Sequence, residues 1–158
     1  MKFLAAVLLL APTAALAAGP QSLGVFGDWT AASYGAGAAK ACYAFTSAKT
    51  SSVMLPKRGK VLLTVTQRKT AADEVTLSAG YTYPKSPVVT LTIGTSVIEF
   101  YTSGQTAFTT AGGKAITAFQ AGATAMSKSS GPKAVTIVDN FSLTGFSGAY
   151  AAIRKACP

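Results

Sequence analysis

The sequence predicts a mainly β fold, an antiparallel β-sandwich or open barrel with a short internal helix and a C-terminal helix. Three observations carry that prediction. Short stretches of alternating apolar and polar residues recur along the chain, clusters of Gly, Pro and Ser fall between them at regular spacing, and the alternation gives way to helical spacing in two places only. A chain of 158 residues has room for one such domain. No repeat of fixed period and no heptad array competes with that reading.

The first segment stands apart from the fold. Lys2, the apolar run from Phe3 to Leu16 and the small-residue signal Ala15-Leu16-Ala17 read as a signal peptide over 1–17, which leaves a single domain at 18–158. The apolar run is too short to span a bilayer, and no later one reaches the roughly 18 residues that a spanning helix needs. The expectation is an exported protein without a transmembrane segment, periplasmic or secreted or associated with the outer membrane.

Leu23 to Tyr34 mixes aromatic and small residues and reads as a first strand entered through a turn, with Trp29 as a core anchor. Lys40 to Thr46 alternates and carries Cys42 on a second strand. Pro56 to Lys60 is a compact basic turn before Val61 to Arg68, the clearest alternation in the chain. Thr70 to Glu74 reads as the turn into Val75 to Tyr83, where Gly80 marks a bulge. Val88 to Ile93, Val97 to Thr102 and Gln105 to Thr110 follow as strands separated by Gly-containing turns. Ala115, Ile116, Ala118 and Phe119 then fit a helix over Lys114 to Ala121, stopped by Gly122. Ala123 to Lys128 and Ala134 to Phe141 read as a closing pair of strands around the breaker-rich turn Ser129 to Lys133.

The last stretch is a helix. Phe146, Tyr150, Ile153 and Cys157 share one helical face, Ser142 or Thr144 is placed to cap the first turn, and Arg154 and Lys155 lie in the last turn, where cations complement the helix dipole. Two cysteines in an exported chain read as one disulfide, here Cys42 with Cys157. Such a bridge closes a loop of about 115 residues and is worth roughly 4 to 5 kcal/mol in the chain-entropy model. The alternatives are an intermolecular bridge, or two free thiols in redox or metal chemistry, for which neither cysteine has a CxxC neighbour or a histidine.

The composition narrows the chemistry. The absence of histidine removes the commonest general base and metal ligand. The five acidic residues are dispersed, with only Asp73 and Glu74 adjacent, so a paired-carboxylate hydrolase is not indicated. No nucleophile elbow, zinc-protease, phosphate-loop or calcium-loop spacing occurs, and no Ser and Lys spacing singles out a nucleophile with its base. The expectation is a protein that is not an enzyme, with no catalytic residue, no metal and no cofactor.

A net charge of +9 directs attention to anionic partners. Two groups of cations stand out: Lys57, Arg58 and Lys60 in one turn, and Arg68 with Lys69 at the far end of the following strand. Their plain reading is solubility, and their sharper one is an anion-binding set. Tyr81, Tyr83 and Tyr101 offer a stacking face for bases or sugars, but no nucleic-acid motif accompanies them, so no specific nucleic acid is expected.

From Val88 onward the chain resembles the invasion-associated locus B family of exported bacterial proteins. Ile93-Gly94 followed by Phe100-Tyr101 resembles that family's strand-turn-strand, and Ala115-Ile116 with Phe119-Gln120-Ala121-Gly122 its short helix. Asp139, Phe141-Ser142-Leu143, Gly145-Phe146, Ala149-Tyr150, Ile153 and Cys157 resemble its C-terminal signature, and Gly27-Asp28-Trp29 and Cys42 extend the similarity upstream. Phe108 stands where many relatives carry tryptophan, and the additional cysteines of some members are missing. The resemblance implies an exported, disulfide-tied β-protein acting at the cell envelope or outside it. With the charge, it suggests a non-enzymatic binding or adhesion protein that meets an anionic envelope or host-surface component. The alternative is a periplasmic inhibitor or assembly factor for an envelope enzyme, with a protein partner.

Overall fold

Alternation of side chains along a strand buries one face and exposes the other, and the computed structural model of the chain, which describes residues 19–158, is built almost wholly on that pattern. The leader read at 1–17 lies outside the described residues. The strands are β1 (Gln21–Phe26), β2 (Trp29–Tyr34), β3 (Ala41–Ser47), β4 (Thr50–Ser51), β5 (Leu62–Arg68), β6 (Ala71–Ser78), β7 (Val89–Ile93), β8 (Ser96–Ser103), β9 (Thr106–Phe108), β10 (Thr124–Ser130) and β11 (Thr136–Ser142). Helix α1 (Gly112–Ala121) precedes β10, and α2 (Phe146–Ala156) closes the chain.

All eleven strands join one antiparallel sheet in the order β1-β2-β3-β5-β6-β9-β8-β7-β10-β11-β4. The last strand in that order returns to the third. Only Ala48 and Lys49 separate β3 from β4, and β4 pairs with β11 through Thr50 with Asn140 and Ser51 with Asp139. Around this junction the Ala48 amide donates to Val61 (3.0 Å), whereas those of Lys49 and Ser52 donate to Asn140 (2.7 Å) and Val138 (2.8 Å). One continuous stretch of chain thus joins both halves of the sheet, which curls as an open barrel rather than splitting into a sandwich.

Three strand boundaries differ from the sequence reading. Leu23 to Tyr34 is a hairpin, not one strand: Phe26 pairs with Trp29 across the two-residue loop Gly27-Asp28, and Gly27 adopts the positive φ that such a loop requires. Cys42 consequently sits on the third strand. The turn read at Thr70 to Glu74 is shorter, because β6 already begins at Ala71, and the bulge lies at Asp73 rather than Gly80. Asp73 takes a positive φ there, with Gln67 donating to its carboxylate and accepting from its amide. Gly80 lies beyond β6, where its carbonyl accepts from the Gly59 amide at 2.8 Å and a side chain would strike the Gly59 carbonyl.

Both helices form where the period changes, and their ends are set by backbone rather than side chains. Gly145, not Ser142 or Thr144, is the cap residue of α2; it lies in the left-handed region (φ 90°), and a Cβ would be driven into the Phe26 carbonyl. The chain must enter the helix beneath the β1–β2 turn, which leaves no room for a capping side chain. Ser142 instead accepts from the Thr144 amide through its hydroxyl (3.2 Å). Gly122 ends α1 in an extended conformation, where a Cβ would meet the Ile93 side chain at 2.5 Å.

The core is gathered around Trp29, which is fully buried. Phe146 of α2 meets its ring edge-on at 4.9 Å, Phe119 of α1 lies 6.4 Å away, and the two phenylalanines are perpendicular at 5.1 Å. The indole N–H donates to the Ser142 carbonyl at 3.0 Å, so the ring's polar edge is satisfied. Phe146, Ala149 and Ile153 form the buried face of α2, with Tyr150 and Cys157 half-buried beside it. Cys157 is bonded to Cys42, with Cα atoms 5.9 Å apart. Tyr150 adds a hydrogen bond to the Asp73 carboxylate at 2.6 Å; burial, and then that bond, push its phenol up from the usual tyrosine range.

Candidate functional site

The stretch from Ser47 to Val61 leaves β3, forms β4 and returns to β5, so it overhangs the junction where the sheet closes. The stretch folds around a groove of about 410 Å³, lined by Lys49, Ser51, Met54, Leu55, Arg58 and Lys60 among others. Met54 is 95% exposed at its lip.

Arg58 holds this overhang in place. Its guanidinium turns inward, makes two hydrogen bonds to the Asp139 carboxylate at 2.9 and 2.7 Å, donates to the Ser51 hydroxyl at 2.7 Å, and through Nε donates to the Ala79 carbonyl at 2.9 Å. The pair is nearly dry: the side chains of Arg58 and Asp139 are 8% and 0% exposed. The guanidinium also lies 5.3 Å from the centre of the Tyr81 ring. A planar fork matched to a carboxylate suits a charge taken from water, and Nε and a second Nη1 N–H are also engaged.

Tyr81 and Tyr83 complete this interior network instead of forming the surface face that their sequence spacing suggested. Both are buried, their rings meet edge-on at 5.4 Å, and the Tyr81 hydroxyl bonds to that of Ser129 at 2.8 Å. Burial pushes both phenols up, that of Tyr83 further, so both stay neutral throughout the physiological range. The Tyr83 hydroxyl has no hydrogen-bond partner among the described residues.

The two basic groups do not converge. Arg58 is spent on Asp139, whereas Lys57 and Lys60 remain exposed in the same turn. Arg68, at the other end of β5, pairs with Glu74. Lys69 lines a separate depression of about 290 Å³ with Lys40, Cys157 and Pro158. Lys40 donates from Nζ to the Ala156 carbonyl at 2.9 Å, a cation at a helix C-terminus that the sequence reading missed. Its lysine alone carries no signal of that role, because the two residues are distant in the chain.

The acidic residues are largely engaged in holding the fold. Asp139 binds Arg58, Asp73 binds Gln67 and Tyr150, Glu74 binds Arg68, and Asp28 binds Lys49. The hydrogen bond from Lys49, followed by that from Ser142, holds the Asp28 carboxyl below its usual range. Among the described residues, no group of three acidic, Cys or His side chains is arranged to hold a metal, and no helix is long and apolar enough to cross a membrane. The arrangement offers a concave surface with the exposed Lys60 and Met54 in its lining, the exposed Lys57 in the adjoining turn and a wall held by Arg58, which suits binding.

Over residues 29–154 the chain matches the family model described as Invasion associated locus B (IalB) protein. The crystal structure of invasion associated protein b from Bartonella henselae is similar, with a TM-score of 0.60 and 17% identity over 84% of this chain and 96% of that one. No curated protein matches the sequence significantly.

Proposed function

Because the chain belongs to the invasion associated locus B family, we propose that it is a non-enzymatic exported binding protein that engages an anionic component of the cell envelope or host surface. The observation that carries this reading is the groove formed by the Ser47 to Val61 stretch, with Lys60 in its lining. Lys57 and Lys60 are exposed at a turn whose only arginine is locked to Asp139, so the turn presents positive charge on a fixed backbone. A preformed concavity lined by the exposed Lys60, with Lys57 exposed in the same turn, on a protein of net charge +9 favours anions at long range and loses little entropy on contact.

A second reading has its own support. Met54, almost fully exposed beside Leu55, is the adaptable apolar contact that a protein partner would cover, as an inhibitor or assembly factor for a periplasmic enzyme would require. Affinity capture with the disulfide-bonded protein from its native envelope separates the two. Recovery of anionic glycan or lipid, without a stoichiometric protein, is the expected result. A stoichiometric envelope enzyme in the eluate would replace the first reading with the second.

A further inference from the structure

We infer that the outer face of the sheet carries a second binding site, distinct in chemistry from the basic groove, for a neutral carbohydrate chain. Strand pairing places Phe45 opposite Thr64, Thr64 opposite Thr76, Thr76 opposite Phe108 and Phe108 opposite Tyr101, in one straight row across β3, β5, β6, β9 and β8. Thr30 of β2, opposite Phe45, extends the row. These side chains point outward: their strand neighbours Ala31, Ala44, Val65, Val75 and Ala107 are buried, whereas Tyr101 is 59% exposed and the others are half-exposed.

The row has aromatic ends and a hydroxyl floor. Phe45 stacks with Tyr43 at 6.1 Å and Phe108 with Tyr101 at 5.7 Å, so each end presents a paired aromatic surface. From Phe45 to Phe108 the order β3-β5-β6-β9 gives a span of about 14 Å at the usual strand spacing. Between them stand the partly exposed hydroxyl side chains of Thr64 and Thr76. At the Phe45 end the surface deepens into a depression of about 460 Å³ bordered by Thr30, Phe45, Asp28 and Lys49.

Charge decides the ligand class. No charged side chain stands in the row from Thr30 to Tyr101; beside it on the same face lie Glu74, paired with Arg68, and the exposed Glu99, two residues from Tyr101, while Asp28 pairs with Lys49 at the Thr30 end. A polyanion meets the exposed Glu99 carboxylate and finds Arg68 already paired with Glu74, whereas a neutral sugar chain finds what it needs: flat apolar rings for its C–H faces and hydroxyls for its hydroxyls. The distance between the aromatic ends fits a short run of linked pyranose rings. Alternating apolar stacking and hydrogen bonding is also insensitive to salt, unlike contacts with the groove.

The test is an array of neutral β-linked oligosaccharides probed with the disulfide-bonded protein, followed by titration of the sugars retained. Phe45→Leu and Tyr101→Leu keep apolar bulk on the sheet but remove the rings, and each is expected to weaken binding about three- to tenfold. Binding should change little with salt, and both variants should bind anionic envelope fractions as the parent does. Retention of no neutral sugar overturns the inference, as does retention that both leucine variants leave unchanged. Because the readout is salt-independent binding of an uncharged ligand, its failure says nothing about the lysines of the groove.

Discussion

Cys42→Ala and Cys157→Ala are each expected to lower stability by about 4 to 5 kcal/mol, and the double variant by no more than either single one. The reason is the length of chain between the cysteines, a sequence separation of 115, which makes the bridge a large constraint on the unfolded state. Alanine is the appropriate replacement because Cys42 is fully buried, and a serine hydroxyl there would add a desolvation cost unrelated to the bridge. The helix has other attachments: Phe146, Ala149 and Ile153 are buried, Tyr150 bonds to Asp73, and Lys40 bonds to Ala156. Both variants should therefore remain folded with α2 docked and unfold at lower urea concentration. Equilibrium urea unfolding checks this, and clearly unequal single effects would mean that one cysteine acts through packing rather than through the bridge.

Separating Arg58 from Asp139 is the other large effect. Arg58→Met or Asp139→Leu should each cost about 3 to 5 kcal/mol, because each leaves a charge buried without its counter-charge. The double variant Arg58→Met/Asp139→Leu should recover much of that loss, since the penalty belongs to the widowed charge and not to the missing attraction. Thermal unfolding of the two singles and the double completes the cycle; additive losses would show that the two side chains act separately. Loss of Arg58 also frees Ser51 and Ala79 from the guanidinium, so the Ser47 to Val61 stretch should become more susceptible to proteolysis in the Arg58 variant.

Much of the architecture is legible in the sequence for a simple reason: alternation reports which face of a strand is buried, and it does so locally. β5, β7, β8 and β11 lie within a residue or two of where their alternation places them, and α2 buries Phe146 and Ile153 as its spacing requires. Trp29 is in the core, and Cys42 meets Cys157. What fails to show is whatever depends on residues far apart in sequence. Leu23 to Tyr34 reads as one strand because Gly27-Asp28 resembles an irregularity until pairing of β1 with β2 reveals the turn. Gly145 caps α2 because the Phe26 carbonyl occupies the space that a side chain would need.

The candidate site shows the same limit more sharply. Lys57, Arg58 and Lys60 look equivalent in sequence, but Asp139, 81 residues away, draws Arg58 inside and leaves the lysines out. Tyr81 and Tyr83 follow Arg58 into the interior, whereas Tyr101 stays on the surface. A row such as Phe45, Thr64, Thr76, Phe108 and Tyr101 is invisible before the register is known, because one residue of slip in any pairing would send its members to opposite faces.

The claim that the exposed lysines of the turn beside the groove, Lys57 and Lys60, carry binding to an anionic envelope component is tested most directly by a salt titration. Binding of the disulfide-bonded protein to isolated envelope fractions is measured from about 0.01 M salt, where the screening length is about 30 Å, to 0.15 M, where it is about 8 Å. Lys57→Ala/Lys60→Ala is measured beside it. The account predicts that binding falls steadily as salt rises and that the double variant binds more weakly with a shallower salt dependence. Binding that is unchanged by salt and equal in the two proteins would contradict it.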